Sequence, residues 1–306
     1  MAQLTASRSA FEGALIRPTL LVSSLGRKLP LADGPLPANC GILCFHKHDE
    51  TPIIRGMCVL AFAWHAHPRW LIVVAGNRDE LHARPTSALA RWDESSDVLA
   101  GRDLQSGGTW LGVSERGHFA VVTNLRGYGT PEPGRPSRGA LVTDALSGSM
   151  LHADSKLAEF NPFNLIVADR EQACFVSNRP IIVRSRLAPG IYGLSNGALD
   201  APWPKTMRLK AMLLEWIVGG GKRPEVLLDD LSDESVPGVG IRSAVPSDVP
   251  QEPPLSPIFI RNRVYGTRSS TVVAIDHDRQ GIVIERRFDR TGGSTGETAL
   301  SFSWPA

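Results

Sequence analysis

The apolar pattern of the chain changes character at residue 57. Before it, residues 1–56 carry no sustained helical or strand period, and Pro30, Pro35, Pro37 and Pro52 punctuate them. After it, short apolar runs alternate with polar turns. Cys58–Ala63 reads as a buried strand, His65–Arg69 as a turn around Pro68, and Trp70–Ala75 as a second strand ending at Gly76. Further strands are expected at Phe119–Thr123, and at Phe163–Ala168 with Ala173–Ser177 as a hairpin that Ile181–Arg184 and Ile191–Leu194 extend. Ser270–Ile275 and Gly281–Phe288 form a last hairpin across a polar turn.

Helices are fewer. Ser137–Leu146 has Leu141 and Ala145 on one face, with Ser137 placed to cap it. Pro204–Val218 starts with Pro in the first turn and stops at Gly219-Gly-Gly221. Glu225–Leu231 adds a short helix, and the proline-rich residues 233–256 read as a long loop. Strands do not alternate one by one with helices, which excludes a doubly wound parallel sheet and favours antiparallel sheets covered by helices.

Composition adds a boundary. All 7 Trp and 3 Tyr lie at or beyond residue 57. The formal charge of +2 belongs to residues 1–56, leaving the rest electroneutral. That balance excludes nucleic-acid or membrane-surface binding driven by bulk charge. No apolar run reaches the roughly 18 residues of a membrane span. Residues 1–56 are expected to be a disordered N-terminal extension, and 57–306 one domain. Cys40-x-x-x-Cys44 lacks a second ligand pair at zinc spacing, so no metal is expected. The cysteines show no paired disulfide spacing, which points to a reducing, cytoplasmic compartment.

Chemistry-bearing residues gather where apolar runs end. Gly76-Asn-Arg-Asp-Glu80 follows one run, Thr123-Asn-Leu-Arg126 another, and Arg268 precedes a third. A solvated turn is the plain alternative for each. Gly193-Leu-Ser-Asn-Gly197 matches a nucleophile elbow, but no helix follows at once and His277 is the only later histidine, which argues against a serine hydrolase. His65 and His67 sit in a turn, where solvation competes with metal or haem ligation. The glycines of residues 104–112 lack the Lys-Ser/Thr of a phosphate-binding loop and read as a tight turn with a packed Trp. Cys58 alone reads as a small core residue. Next to Met57 it gains a second meaning. Translation from Met57 and removal of that Met would make Cys58 the first residue, carrying nucleophile and base together, because an α-amine has a pKa of about 7.7–8.0.

Met57-Cys58, Gly76-Asn-Arg-Asp-Glu80 with Arg84-Pro85, Ala100-Gly-Arg-Asp103, Gly107-Gly-Thr-Trp-Leu-Gly112, Val122-Thr-Asn124, Ser137-Arg-Gly139, Asn161-Pro-Phe-Asn164, Gly193-Leu-Ser-Asn196 and Pro202-Trp-Pro-Lys205 together resemble the NRDE family, the family of transport and Golgi organisation protein two. The resemblance begins at Met57 and does not reach residues 1–56. It implies an α+β, four-layer αββα fold of the N-terminal-nucleophile hydrolase type, near the choloylglycine and penicillin V acylases. Carried over, Cys58 matches the nucleophile, Arg78 and Asp79 its Arg/Asp support, Asn124 and Asn196 the amide donors, and Arg268 a late arginine; the local order around Arg78 and Asp79 differs from the acylase pattern. The implied function is cleavage of a small-molecule amide or acyl compound with no cofactor required. The alternative is a non-catalytic carrier of haem or an acyl ligand, with Cys58, His65 or His67 on the iron. The chain has a bacterial look, which argues against a Golgi role. As the chain is written Cys58 is internal, so the mechanism needs a start at Met57 or removal of residues 1–56 as a propeptide.

Overall fold

Strands β1 (Val59–Trp64) and β2 (Trp70–Leu81) form the expected hairpin, but β2 continues well beyond Gly76. The computed structural model describes residues 58–149, 152–236 and 256–306. Residues 1–56, Cys40 and Cys44 among them, lie outside the described residues, as does 237–255 of the proline-rich loop. After β2 come β3 (Thr86–Trp92), β4 (Ser95–Asp103), β5 (Leu111–Ser114) and β6 (His118–Asn124). Helices α1 (Arg138–Leu146) and α2 (Asp154–Ala158) precede β7 (Phe163–Ala168), β8 (Ala173–Ser177), β9 (Val183–Arg186) and β10 (Gly190–Leu194). Then α3 (Pro204–Val218) leads to a 3₁₀ turn at Pro224–Val226, α4 (Leu227–Asp230), β11 (Tyr265–Asp276), β12 (Gln280–Phe288) and β13 (Ser294–Ser303).

The strands make two antiparallel sheets, ordered β10-β1-β2-β11-β12-β13 and β3-β4-β5-β6-β7-β8-β9. β10 was expected to extend the β7–β8 hairpin. Instead it pairs with β1, Leu194 opposite Leu60, so the chain changes sheets after β9. β9 already occupies the open edge of β8, and pairing with β1 places Leu194 in the core between the sheets.

Period-two alternation sorts β1 and β2 between two cores. Leu60, Phe62, Ile72 and Val74 face the second sheet, in a cluster with Phe119, Val121 and Ile166. Phe62 stacks on Phe119 with ring centroids 5.8 Å apart. Val59, Ala61, Val73 and Ala75 instead face Leu209 and Leu213 of α3 and Leu227 and Leu228 of α4. On the far side, Leu141, Val142 and Leu146 of α1 and Leu157 of α2 cover the outer face of the second sheet. The layers are therefore helix, sheet, sheet, helix, the αββα arrangement expected. Each fully buried Leu, Ile or Phe contributes about 1.5–3 kcal/mol.

Candidate active site

Cys58 stands one residue before β1 and is half-buried. Its carbonyl accepts a hydrogen bond from Ser195 Oγ at 2.7 Å. Ser195 O in turn accepts from Thr123 Oγ1 of β6 at 2.7 Å, so the Cys58 backbone is tied through one loop to the second sheet. Asn164 Nδ2 of β7 holds the same loop at Gly197 O, 2.7 Å away. Ser195 is thus buried with its hydroxyl committed to the Cys58 carbonyl, a positioning contact rather than an elbow nucleophile.

The polar run after Gly76 is strand, not turn. Asn77 pairs with Val59 on β1 and Ser270 on β11, and tertiary pairing on both sides overrides its turn-like composition. Asn77 is fully buried and fully used. Its Nδ2 donates to Leu231 O at 2.8 Å and Ile258 O at 2.9 Å, and its Oδ1 accepts from Ser270 Oγ at 2.7 Å. It fastens α4 and the 256–260 segment to β2.

Arg78, Asp79 and Asn124 line one cleft with Cys58, of about 230 Å³. Glu80, Arg84, Asp103 and Arg138 add to its walls. Arg78 is 7% exposed, and its Nη1 donates to Thr86 Oγ1 at 3.3 Å. Asp79 is 2% exposed. Its Oδ1 accepts from Thr267 Oγ1 at 2.6 Å, whereas Oδ2 has no hydrogen-bond partner among the described residues. Burial pushes the Asp79 carboxyl up to about 7, opposed by the charge of Lys205, the Thr267 bond and Arg78. Lys205, buried in the first turn of α3 and outside the cleft lining, is the largest charge opposing that shift, and its place in Pro202-Trp-Pro-Lys205 carries no signal of that.

Burial also pushes the Cys58 thiol up to about 12, helped by the Asp79 charge and opposed by hydrogen bonding with the Asp79 backbone and by Arg78. A thiol held there is neutral throughout the physiological range, and a thiolate needs a base close by.

Asn196 and Arg268 are not in the cleft lining. Asn196 is fully buried behind it, its Nδ2 donating to Asn124 O at 2.8 Å and its Oδ1 unpartnered among the described residues. Arg268 sits at a register shift between Thr267 and Ser269, a bulge that re-aims its side chain. Its Nη1 donates to Leu81 O at 2.9 Å, Arg84 O at 3.0 Å and His82 O at 3.2 Å, bracing the β2–β3 connection. His65 and His67 lie at the other end of β1, roughly 20 Å from Cys58 at about 3.3 Å per residue. One iron cannot take Cys58 and either histidine together.

Among the described residues no helix is long and apolar enough to cross a membrane. Residues 57–290 match the family described as Transport and Golgi organisation 2. The chain is 34% identical over 264 residues to the Transport and Golgi organization protein 2 homolog of Bos taurus, covering 75% of this chain and 92% of that one. With the human homolog it shares 33% over 262 residues, and with Transport and Golgi organization protein 2 of Drosophila melanogaster 25% over 262 residues. The Caenorhabditis elegans N-acylethanolamine-hydrolyzing acid amidase ortholog superimposes with a TM-score of 0.44 at 14% identity, over 70% of this chain and 92% of that chain. The bacterial assignment is corrected by these relatives, which come from cow, human, mouse and fly; it rested on no residue, and the objection to a Golgi role that it supported falls with it. The span and identity of these matches, over the stretch that builds the cleft, make the chain a member of the Transport and Golgi organisation 2 family.

Proposed function

We propose that this family member hydrolyses a small amide or acyl compound, with Cys58 as an N-terminal nucleophile. The observation that carries the reading is the convergence of Cys58, Arg78, Asp79 and Asn124 in one cleft, beside a buried carboxylate oxygen that lacks a partner. While Cys58 is internal its nitrogen is an amide and cannot serve as base for a thiol held near 12. Once Cys58 is the first residue, its α-amine supplies that base. Asp79 Oδ2 then has a cation to accept from.

In this mechanism the amine takes the thiol proton and the thiolate attacks the carbonyl carbon. Asn124 and Asn196 hold the oxyanion, Asn196 after release from Asn124 O, while Arg78 and Asp79 orient the thiol and the amine. The tetrahedral adduct collapses to a thioester, and the leaving group departs with the proton from the ammonium. Water then cleaves the thioester, giving its proton to the amine and restoring the thiol. No cofactor enters, and a reducing cytoplasmic location keeps the thiol free.

The test is a protein beginning at Cys58, treated with an amide-directed electrophile at neutral pH. Stoichiometric labelling that disappears in Cys58→Ala supports the hydrolase. Absence of labelling, together with a haem Soret band that vanishes in Cys58→Ala, would replace it with the carrier alternative, in which the same cleft holds haem or an acyl ligand without chemistry.

A further inference from the structure

Two motifs of the sequence have no part in the mechanism above, Gly107-Gly-Thr109 and Ser137-Arg-Gly139. The structure packs them backbone against backbone. A Cβ on Gly108 would lie 2.5 Å from the carbonyl carbon of Gly139, and one on Gly139 would lie 3.0 Å from Thr109 O. Two side-chain-free positions thus let the start of α1 press onto the strand-entry loop at the cleft wall, where Thr109, Ser137, Arg138 and Gly139 are all lining residues. α1 has 9 residues, Ser137 makes no side-chain cap, and no acid occupies its first turn. Its positive end thus has no acid from its own first turn.

The charges of the cleft do not cancel. Arg84 is held by Asp103 at 2.6 Å and Arg135 by Glu132 at 2.9 Å. Arg78, nine-tenths buried, and Arg138 have no ion-pair partner among the described residues. Among the described residues Arg138 makes one hydrogen bond, Nη1 to Pro162 O at 3.2 Å, which leaves most of its fork open. Burial lowers the Arg138 pKa, and an ionised Cys58 and the Glu80 carboxylate oppose that shift. Two guanidinium groups and a helix start, all lining one cleft, are the donor set that carboxylates and phosphates select.

We propose that Arg138, with Arg78 and the N-terminus of α1, forms an oxyanion subsite beside Cys58, and that the compound bound there carries a carboxylate or phosphate near the bond attacked. That a bond is attacked rests on the hydrolase reading; the subsite does not.

The experiment uses the full chain. Alkylation of Cys58 by anionic iodoacetate and by neutral iodoacetamide is followed by mass spectrometry of its peptide at mildly alkaline pH and fixed ionic strength, with N-acetylcysteine amide as reference. The iodoacetate-to-iodoacetamide rate ratio at Cys58 is expected to exceed the reference about tenfold. Arg138→Gln removes the excess by slowing iodoacetate alone, and Arg138→Lys keeps most of it. Protection of Cys58 by inorganic phosphate or by acetate shows which oxyanion fits better. A ratio equal to the reference in the unaltered chain, equal slowing of both reagents in Arg138→Gln, or protection by neither anion overturns the subsite. Because no α-amine is needed, the ratio can stand even where the amide electrophile of the preceding test fails to label.

Discussion

The two halves of β2 share a strand and a degree of burial but not a chemistry. Trp70–Ala75 is apolar and packs into the cores on both faces of its sheet. Asn77–Asp79 is polar and equally buried. A buried polar group costs about 1–3 kcal/mol when unpartnered, so the second half is tolerable only so far as it is satisfied. Satisfaction is graded along it. Asn77 has every partner it can use, Asp79 lacks one at Oδ2, and Arg78 has a hydroxyl but no carboxylate. The satisfied residue is structural; the unsatisfied ones line the cleft. Along this strand, incomplete pairing under burial separates the cleft residues from the structural one.

The largest effect is expected from writing the chemistry of the second half into the first. Val74→Asp puts a carboxylate among Phe62, Phe119 and Val121 with no donor, and should cost about 4–5 kcal/mol in urea unfolding. Asp79, by contrast, is tuned. Its folded pKa of about 7 lies above the ordinary 3.8. Well below pH 3.8 it is protonated folded and unfolded, so nothing is lost there. As pH rises from 4 through 7 the unfolded carboxyl ionises first, and stability falls by on the order of 2–4 kcal/mol. Unfolding followed across that range should show the fall in the parent chain and a flatter curve in Asp79→Asn. In a chain beginning at Cys58, an α-ammonium beside Asp79 should shrink the fall.

Asn77→Ala strands two carbonyls and a hydroxyl, and should cost about 2–3 kcal/mol while leaving Cys58 alkylation by iodoacetamide close to the parent rate. That split would sharpen the division between structural and cleft polarity. Gly108→Ala forces α1 off its seat and should cost about 1–3 kcal/mol. Ser195→Ala removes one donor to the Cys58 carbonyl and should cost about 1 kcal/mol.

The same contrast explains what could be read from the amino-acid sequence. The apolar half of β2, the β7–β8 hairpin and α3 were legible because periodicity and end signals agree with burial there. β3, β4 and β13 were not, since their half-exposed, largely polar patterns look like loop until a neighbouring strand pairs with them. The extension of β2 through Asn77–Leu81 was read as a strand end because its composition is polar, although Asn77–Asp79 is buried. Within the site, Cys58, Arg78, Asp79 and Asn124 were reachable through motif order. Lys205 and Arg138 stood inside quoted motifs with no role attached, because a lone cation acquires meaning only from what faces it.

The central claim is that the working protein begins at Cys58. Intact-mass analysis of the protein isolated from its own cells tests this most directly. The account predicts the mass of residues 58–306, with Cys58 as the first residue. A functional protein whose mass retains Met1 at its start would contradict it.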